Sequence, residues 1–317
     1  MVLQAPAPGV TALYDVPAPA KLNLFLHVVG RRPDGYHLLQ TVFRFIGLYD
    51  YLDFDLRTDG RIVCETTFPG IAPEDDLVVK AAMALQKASG TSFGAQISYR
   101  KNIPSGGGLG GGSSDAASTL IALNRLWGTG LTRHQLMQLA LPLGADVPVF
   151  IFGQPAFAEG IGEVLSPVPM PDRAYVVVQP TQSVPTAGIF SSPDLTRNTD
   201  YVKITVFTDW QESVEQKKKV GSNANNALFG RNDLQPVVFG KYPAVQNASR
   251  FIESLGVTPR MTGSGACLFV EFVTLSQAEA FQEKIVGKIA CYENGSTAAV
   301  SSTWVCPGLA NHPLYNW

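Results

Sequence analysis

A glycine run, Gly106–Gly112, is the stretch of this sequence whose residue types best suit chemistry. It contains six glycines in two triplets around a leucine, and two serines and Asp115 follow. Glycine lets the backbone approach a ligand closely and adopt positive φ angles without strain. Ser113 or Ser114 is predicted to cap the next helix, whose first N–H groups attract anions. Because an alternating segment, Ala95–Arg100, precedes the run, we predict a phosphate-binding strand, loop and helix.

Other kinds of glycine loop fit this run less well. It lacks the Gly-Lys-Ser/Thr ending of a P-loop, and the chain has no His-Arg-Asp or Asp-Phe-Gly motif of protein kinases. Gly106, Gly108 and Gly111 satisfy G-x-G-x-x-G, the dinucleotide fingerprint of dehydrogenases, but that match is nearly automatic among six glycines. A flexible Gly/Ser linker is the alternative without a function.

Two charged residues far apart in the chain are candidates for acid–base work. Lys21 and Asn23 fall on one face of a predicted strand, Ala20–Val29. Asp146 is a lone carboxylate between a glycine turn and an apolar run. An exposed edge strand would explain Lys21 and a helix N-cap would explain Asp146. The functional hypothesis makes Asp146 a general base for a hydroxyl group that attacks a phosphoryl group.

Aromatic residues on loops suggest a flat ligand. Tyr36 and His37 follow a strong turn, Pro33-Asp34-Gly35, and Phe190 lies in a loop that also contains Thr186. Packing of Tyr36 at a sheet rim is the alternative. A second glycine turn, Thr262–Ala266, forms either a tight hairpin or a loop that closes against the first glycine run.

Composition limits the class of protein. The 317 residues are 45% hydrophobic and 16% charged, with a net charge of −2, so nothing indicates a nucleic-acid or membrane partner. The four cysteines include no Cys-x-x-Cys pair, which argues against a zinc site. Without a signal peptide or an apolar run of membrane length, the chain is expected to be cytoplasmic, as a monomer or weak homodimer.

The order of predicted elements indicates an α+β protein with two domains. A Pro-rich stretch, 167–171, marks the boundary between them. The segment Asn198–Gly221 has no clean period, so no helix or strand is predicted there. The expected organisation is a disordered lead 1–14, domains at 15–165 and 166–296, and a tail at 297–317 that docks or frays.

Three stretches in the right order resemble the three motifs of the GHMP kinases, which phosphorylate small molecules with ATP. They are Pro19–Leu26, Pro104–Ala117 and Met261–Val270. Further segments, including Arg32–His37 and Gly144–Phe150, resemble the branch of that superfamily in the non-mevalonate isoprenoid pathway. Its substrate is 4-diphosphocytidyl-2-C-methyl-D-erythritol. A mevalonate-type or homoserine-type GHMP kinase is the nearest alternative, and a catalytically dead relative is another.

The resemblance implies a fold and a set of site residues. The fold is an ATP-binding N-terminal domain with a left-handed βαβ crossover and a ferredoxin-like C-terminal domain. Asp146 would be the base and Lys21 its charged partner, while Tyr36 and Phe190 would sandwich the cytosine ring. His37 would hydrogen-bond the edge of that ring, and Asn23 and Thr186 would hold the substrate near its reacting hydroxyl. ATP, as its Mg²⁺ complex, would contact Pro104, Ser105, Gly106, Gly107, Gly108, Leu109, Gly110, Gly111, Gly112, Ser113 and Ser114.

Two departures from the family pattern bear on the nucleotide site. Asp115 and Asp76 stand where relatives more often carry Asn. The sequence leaves open whether Asp115 contacts Mg²⁺ or only the helix terminus, and it names no protein ligand for a metal.

Overall fold

The computed structural model describes residues 9–67, 72–219, 228–292 and 299–317. Two sheets, each with its own helices, form the two domains that the sequence predicts. No helix within these ranges combines the length and apolar character that crossing a membrane would require.

The N-terminal sheet is built around two long antiparallel strands, β1 and β2, which pair along most of their length. The order across the sheet is β3-β4-β2-β5-β6, with β1 also paired to β2. The strands are β1 (Ala12–Arg31), β2 (His37–Arg57), β3 (Ile62–Cys64), β4 (Gly94–Arg100), β5 (Ala156–Glu159) and β6 (Val164–Pro167). Both long strands are buried through most of their length, so most of their apolar side chains lie in the core.

The described part of this domain has four α-helices: α1 (Leu77–Ser89), α2 (Gly111–Leu126), α3 (Arg133–Ala140) and α4 (Val147–Phe152). Helix α2 packs on β1 and β2, and α3 and α4 pack against it. Thr132 begins α3 with a reciprocal capping box to Gln135, as expected for a threonine at that position. Helix α1 joins β3 to β4, which pair in parallel, so the domain contains the β–α–β unit of the expected fold. The hand of this crossover stays a prediction.

The C-terminal sheet is fully antiparallel, with the order β10-β7-β9-β8. Its strands are β7 (Ala174–Pro180), β8 (Arg260–Met261), β9 (Leu268–Phe272) and β10 (Val300–Pro307). Its helices are α5 (Thr186–Phe190), α6 (Ile204–Lys219), α7 (Gln235–Lys241), α8 (Pro243–Ser254) and α9 (Leu275–Tyr292). The succession of strand, helices, hairpin, helix and strand is the ferredoxin-like arrangement that was expected.

The chain ends differ from the sequence expectation. Strand β1 begins at Ala12, so residues 12–14 belong to the sheet and not to the lead, whose first eight residues lie outside the described ranges. The tail supplies β10, which pairs with β7. Beyond β10, Leu314 is buried and Arg133 of the N-terminal domain donates a hydrogen bond to the Tyr315 carbonyl (2.6 Å). The tail is therefore a structural part of both domains. Its pairing partner lies more than 100 residues away, so no local pattern reveals it.

The prediction of no helix or strand in Asn198–Gly221 is wrong, because α6 occupies most of the described part of this segment. Phe207 is buried, and its ring packs against those of Trp210 and Phe229. Phe207, Trp210 and Val214 have the spacing of a helix face, but polar residues surround them in the sequence. The helix is stabilised by tertiary packing more than by its local pattern. The predicted domain boundary falls inside β6, which belongs to the N-terminal sheet.

Candidate active site

A cleft of about 820 Å³ lies between the two domains. One wall comes from β1, β2 and the glycine run, and the other includes α5 and the turn between β8 and β9. The sequence-predicted residues that line it are Lys21, Asn23, Tyr36, His37, Asp146, Thr186, Phe190 and all residues from Pro104 to Ser113. The fold thus brings together candidates from five separate stretches of the chain.

The glycine run needs its glycines for both conformation and space. Gly106, Gly108 and Gly110 have φ angles of 68°, 73° and 74°, which side-chain-bearing residues rarely adopt. A Cβ atom on Gly108 would lie 2.2 Å from the Thr262 carbonyl oxygen. The run therefore passes directly over the second glycine turn.

Backbone hydrogen bonds hold the two glycine loops together. The Ala266 N–H donates to the Gly106 carbonyl and the Cys267 N–H to the Gly107 carbonyl, both at 3.1 Å. The expectation that the second turn closes against the first is confirmed. Since β8 and β9 are also paired, the turn is a hairpin as well, so the two interpretations do not exclude each other.

The start of α2 differs from the predicted cap. Gly110 is the N-cap, with no side-chain capping bond, so Ser113 and Ser114 lie inside the first turn. The first N–H groups of a helix have no acceptor within it, and Gly111, Gly112 and Ser113 line the cleft. Ser114 is completely buried and does not line the cleft. The loop and helix start offer an electropositive cradle of backbone donors.

Lys21 and Asp146 form an ion pair, with 3.2 Å between Lys21 Nζ and Asp146 Oδ2. The ammonium group also donates to Asn23 Oδ1 at 2.5 Å, and the Lys21 N–H donates to the Leu109 carbonyl at 2.9 Å. The side chain of Lys21 is 3% exposed and that of Asp146 is 37% exposed. Asp146 stands at the N-cap position of α4, yet its side chain caps nothing. A solvent-accessible carboxylate beside a fixed, buried cation is suited to accepting a proton from a bound hydroxyl group.

Asn23 and Thr186 are each held in place by a neighbouring hydroxyl group. Asn23 Nδ2 donates to Thr41 Oγ1 at 3.0 Å, and the Thr186 and Ser264 hydroxyls are 2.7 Å apart. Their positions in the cleft are therefore defined by the protein before any ligand arrives.

Three rings line one part of the cleft, here called the ring-lined end. Tyr36 is 60% exposed, whereas His37 is buried, with its ring centroid 5.2 Å from that of Phe190. His37 Nε2 accepts a hydrogen bond from Arg197 Nε at 3.0 Å. Burial lowers the pKa of His37, and the positive charges of Arg197 and Arg31 lower it further. This end offers flat apolar surfaces and a neutral imidazole.

Sequence reasoning missed Lys101, a cation that lines the cleft beside the glycine run. Its ammonium group forms ion pairs with Asp115, at 2.5 Å, and with Asp50. Burial opposes the charge on Lys101, but the two carboxylates outweigh that effect and raise its pKa. A basic residue at the end of a strand that leads into a phosphate loop is the signal that could have identified it.

The aspartates at positions 76 and 115 are both engaged in contacts within the protein. Asp76 caps α1 by accepting from the Val78 N–H at 2.8 Å, and it also accepts from the Tyr99 hydroxyl. Burial raises the pKa of Asp115 to about 7; Lys101 opposes this rise and Asp50 adds to it. Within the described residues, no group of three or more His, Cys, Asp or Glu side chains is arranged to hold a metal ion.

The fold and the cleft define a GHMP kinase, and comparisons with known proteins agree. The model of the GHMP kinases N terminal domain matches residues 76–154, and that of the GHMP kinases C terminal domain matches residues 214–289. The chain is 58% identical over 311 residues to 4-diphosphocytidyl-2-C-methyl-D-erythritol kinase of Bordetella parapertussis, covering 96% of this chain and 98% of that protein. It is 50% identical over 304 residues to the protein of the same name in Ralstonia nicotianae, covering 96% of each.

A solved structure agrees with these relatives. The crystal structure of a 4-(cytidine 5'-diphospho)-2C-methyl-D-erythritol kinase superposes with a TM-score of 0.72 at 30% identity, covering 92% of this chain and 98% of that one. The chain belongs to the 4-diphosphocytidyl-2-C-methyl-D-erythritol kinase family of GHMP kinases. It is an ATP-dependent small-molecule kinase.

Proposed function

We propose that this enzyme transfers the γ-phosphoryl group of ATP to the 2-hydroxyl of 4-diphosphocytidyl-2-C-methyl-D-erythritol, in the non-mevalonate route to isoprenoid precursors. One observation carries the proposal: a single cleft holds a phosphate cradle, an ion-paired carboxylate and a ring-lined subsite. The names of the relatives agree with this reaction.

Asp146 acts as the general base. Its carboxylate lines the cleft and is free of capping duty, so it is available to accept the proton of the attacking hydroxyl group. Lys21 lies 3.2 Å away and is fixed by Asn23, so its positive charge favours the developing alkoxide. Removal of a general base typically slows an enzyme by about 10²–10⁴-fold.

The glycine run and the start of α2 hold the ATP phosphates through backbone N–H groups. Lys101 lies at the same end of the cleft, where Asp50 and Asp115 hold its ammonium group beside the glycine run. The magnesium ion enters with the nucleotide as part of the substrate, and the phosphates supply most of its ligands. Fixed donors around the transferred group stabilise its charge in the transition state.

The ring-lined end binds the cytosine. Tyr36 and Phe190 provide the faces on which the base stacks, and His37 hydrogen-bonds its edge. Asn23 and Thr186 also line the cleft, and they hold the methylerythritol portion near Asp146. A substrate without a base would leave this end of the cleft unused.

A coupled assay of ADP release tests the proposal. The purified protein is given ATP, Mg²⁺ and one acceptor at a time: 4-diphosphocytidyl-2-C-methyl-D-erythritol, mevalonate or homoserine. We expect turnover with the cytidyl compound and none with the other two. Turnover with mevalonate or homoserine alone would overturn the assignment of the ring-lined end. ATP binding without turnover on any acceptor would overturn the catalytic proposal.

A further inference from the structure

Arg197 joins the two walls of the cleft at its ring-lined end. Its Nε donates to His37 Nε2 at 3.0 Å, and its other nitrogens donate to the carbonyls of Leu195 (3.0 Å), Phe190 (3.2 Å) and Ser192 (2.6 Å). These carbonyls lie at and just beyond the end of α5, whereas His37 begins β2. The guanidinium plane is therefore fixed by four acceptors from two parts of the fold.

The chemistry of the two side chains dictates where the His37 proton resides. A guanidinium group donates hydrogen bonds and accepts none, so His37 Nε2 must present a lone pair to it. A neutral imidazole that accepts at Nε2 carries its proton on Nδ1. The doubly protonated form would direct an N–H at another N–H, and Arg197 therefore excludes it.

We propose that Arg197 is a positioning residue that locks His37 in its Nδ1–H tautomer and thereby makes the cleft select a base with a hydrogen-bond acceptor at its edge. His37 lines the cleft, and within the described part of the chain its Nδ1 has no hydrogen-bond partner. This N–H is thus available to a ligand. The selection of a base rests on the proposed function, whereas the tautomer is a property of the free enzyme.

The locked tautomer distinguishes cytosine from uracil. N3 of cytosine is an acceptor, whereas N3 of uracil carries a proton. A fixed Nδ1–H of His37 donates a hydrogen bond to N3 of cytosine, but it faces the N3–H of uracil with a second donor. Without Arg197, the imidazole is free to move its proton to Nε2 and accept from a uracil N–H. Discrimination against a uridine diphosphate ester is then lost, although the rings that stack on the base are still present.

NMR of the free enzyme tests the first half of the proposal without any substrate. The protein is labelled with ¹⁵N-histidine, and the His37 signals are assigned by their loss in His37→Gln, because the chain has four histidines. We expect a protonated Nδ1, an unprotonated Nε2 and no titration of His37 near its ordinary pKa, since burial, Arg197 and Arg31 lower it. An Nε2–H tautomer in the wild type, or titration near the ordinary value, overturns the proposal.

Steady-state kinetics of the full enzyme test the second half. Arg197→Met retains the aliphatic stem but none of the donors. We expect its preference for the cytidine over the uridine diphosphate ester of methylerythritol, as a ratio of kcat/KM, to fall by about tenfold, the scale of one hydrogen bond with an unmet partner. The loss arises mainly in KM for the acceptor, with kcat and KM for ATP retained. An unchanged ratio overturns the proposed selectivity.

Two further variants separate positioning from general stability. Arg197→Lys keeps the charge and an ammonium group that donates hydrogen bonds, so we expect it to retain the Nδ1–H tautomer and most of the preference. If Arg197→Met fails to fold, the wild-type spectrum and Arg197→Lys still decide the question. Arg250→Met removes an exposed arginine on α8 and should behave as wild type. Failure of the enzyme to use either ester contradicts the proposed function, and the tautomer result stands apart from it.

Discussion

Replacement of Asp146 by Asn isolates the proposed base from the rest of the cleft. The amide retains the shape of the carboxylate but accepts no proton, so kcat should fall by about 10²–10⁴-fold. KM for ATP should change little, because the proposed phosphate site is the glycine run and not Asp146. The loss is therefore expected in the chemical step.

The structure also sets the expected cost in stability. The side chain of Asp146 is 37% exposed and caps nothing, so its pairing with Lys21 contributes about 0–1 kcal/mol to folding. Lys21 retains its hydrogen bond to Asn23 in the variant. The melting temperature should then drop by at most about 4 °C, as measured by calorimetry. A large loss of rate with a nearly unchanged melting curve separates catalysis from folding.

Rapid-quench single-turnover measurements with saturating ATP and acceptor provide the assay. Asp75→Asn is the matched control, since this carboxylate is 67% exposed, pairs with Lys80 and lies outside the cleft. Lys21→Met combined with Asp146→Asn should raise the activation free energy by much less than the sum of the increases from the two single changes, because the residues act as a unit. A single-turnover rate for Asp146→Asn within about tenfold of wild type would refute the assignment.

Three further predictions test other parts of the site. Tyr36→Ala should raise KM for the cytidyl substrate by about 5–100-fold, the value of one stacked base, and leave KM for ATP unchanged; equal effects on both constants would contradict the subsite. Gly108→Ala should weaken ATP binding at least about tenfold in calorimetric titration, because position 108 has a φ of 73° and a Cβ atom there would collide with the Thr262 carbonyl oxygen. Gly240→Ala is the control: a Cβ atom there meets no other atom, so this variant should bind ATP normally. Asp115→Asn should flatten the pH dependence of the melting temperature. The folded protein holds the Asp115 proton up to about pH 7 and the unfolded chain releases it near 4, so the stability of the wild type falls as the pH rises through that range. An identical slope in the variant would contradict the burial argument.

The chemistry-bearing residues were predictable where their signal is local. The glycine run, the turn before Tyr36 and the threonine cap of α3 each depend on conformations that few residue types adopt, so the sequence alone specifies them. The pairing of Lys21 with Asp146 was different. Resemblance to a family suggested it, and only the fold, which brings the residue before α4 to a side chain of β1, shows the two atoms 3.2 Å apart.

The features that sequence reasoning missed depend on distant partners. Strand β10 is stabilised by its hydrogen bonds to β7. Helix α6 is stabilised by Phe207, whose ring packs against those of Phe25 and Phe229. Arg197 lies in a polar segment without a clear pattern, and its partner His37 is 160 residues away in the chain. The predicted serine cap of α2 is wrong for a local reason. A glycine with a positive φ begins the helix three residues earlier than the serines suggested.

Proton-coupled ³¹P NMR of the reaction product tests the central claim most directly. C2 of the methylerythritol portion carries no hydrogen, so a phosphate on the 2-hydroxyl has no proton three bonds away. With ATP, Mg²⁺ and 4-diphosphocytidyl-2-C-methyl-D-erythritol, we predict one new phosphomonoester signal that is an unsplit singlet. A doublet or triplet would place the phosphate on the 3- or 1-hydroxyl and would contradict the proposed position of the reacting group beside Asp146. The absence of any new monoester would contradict the proposed substrate itself.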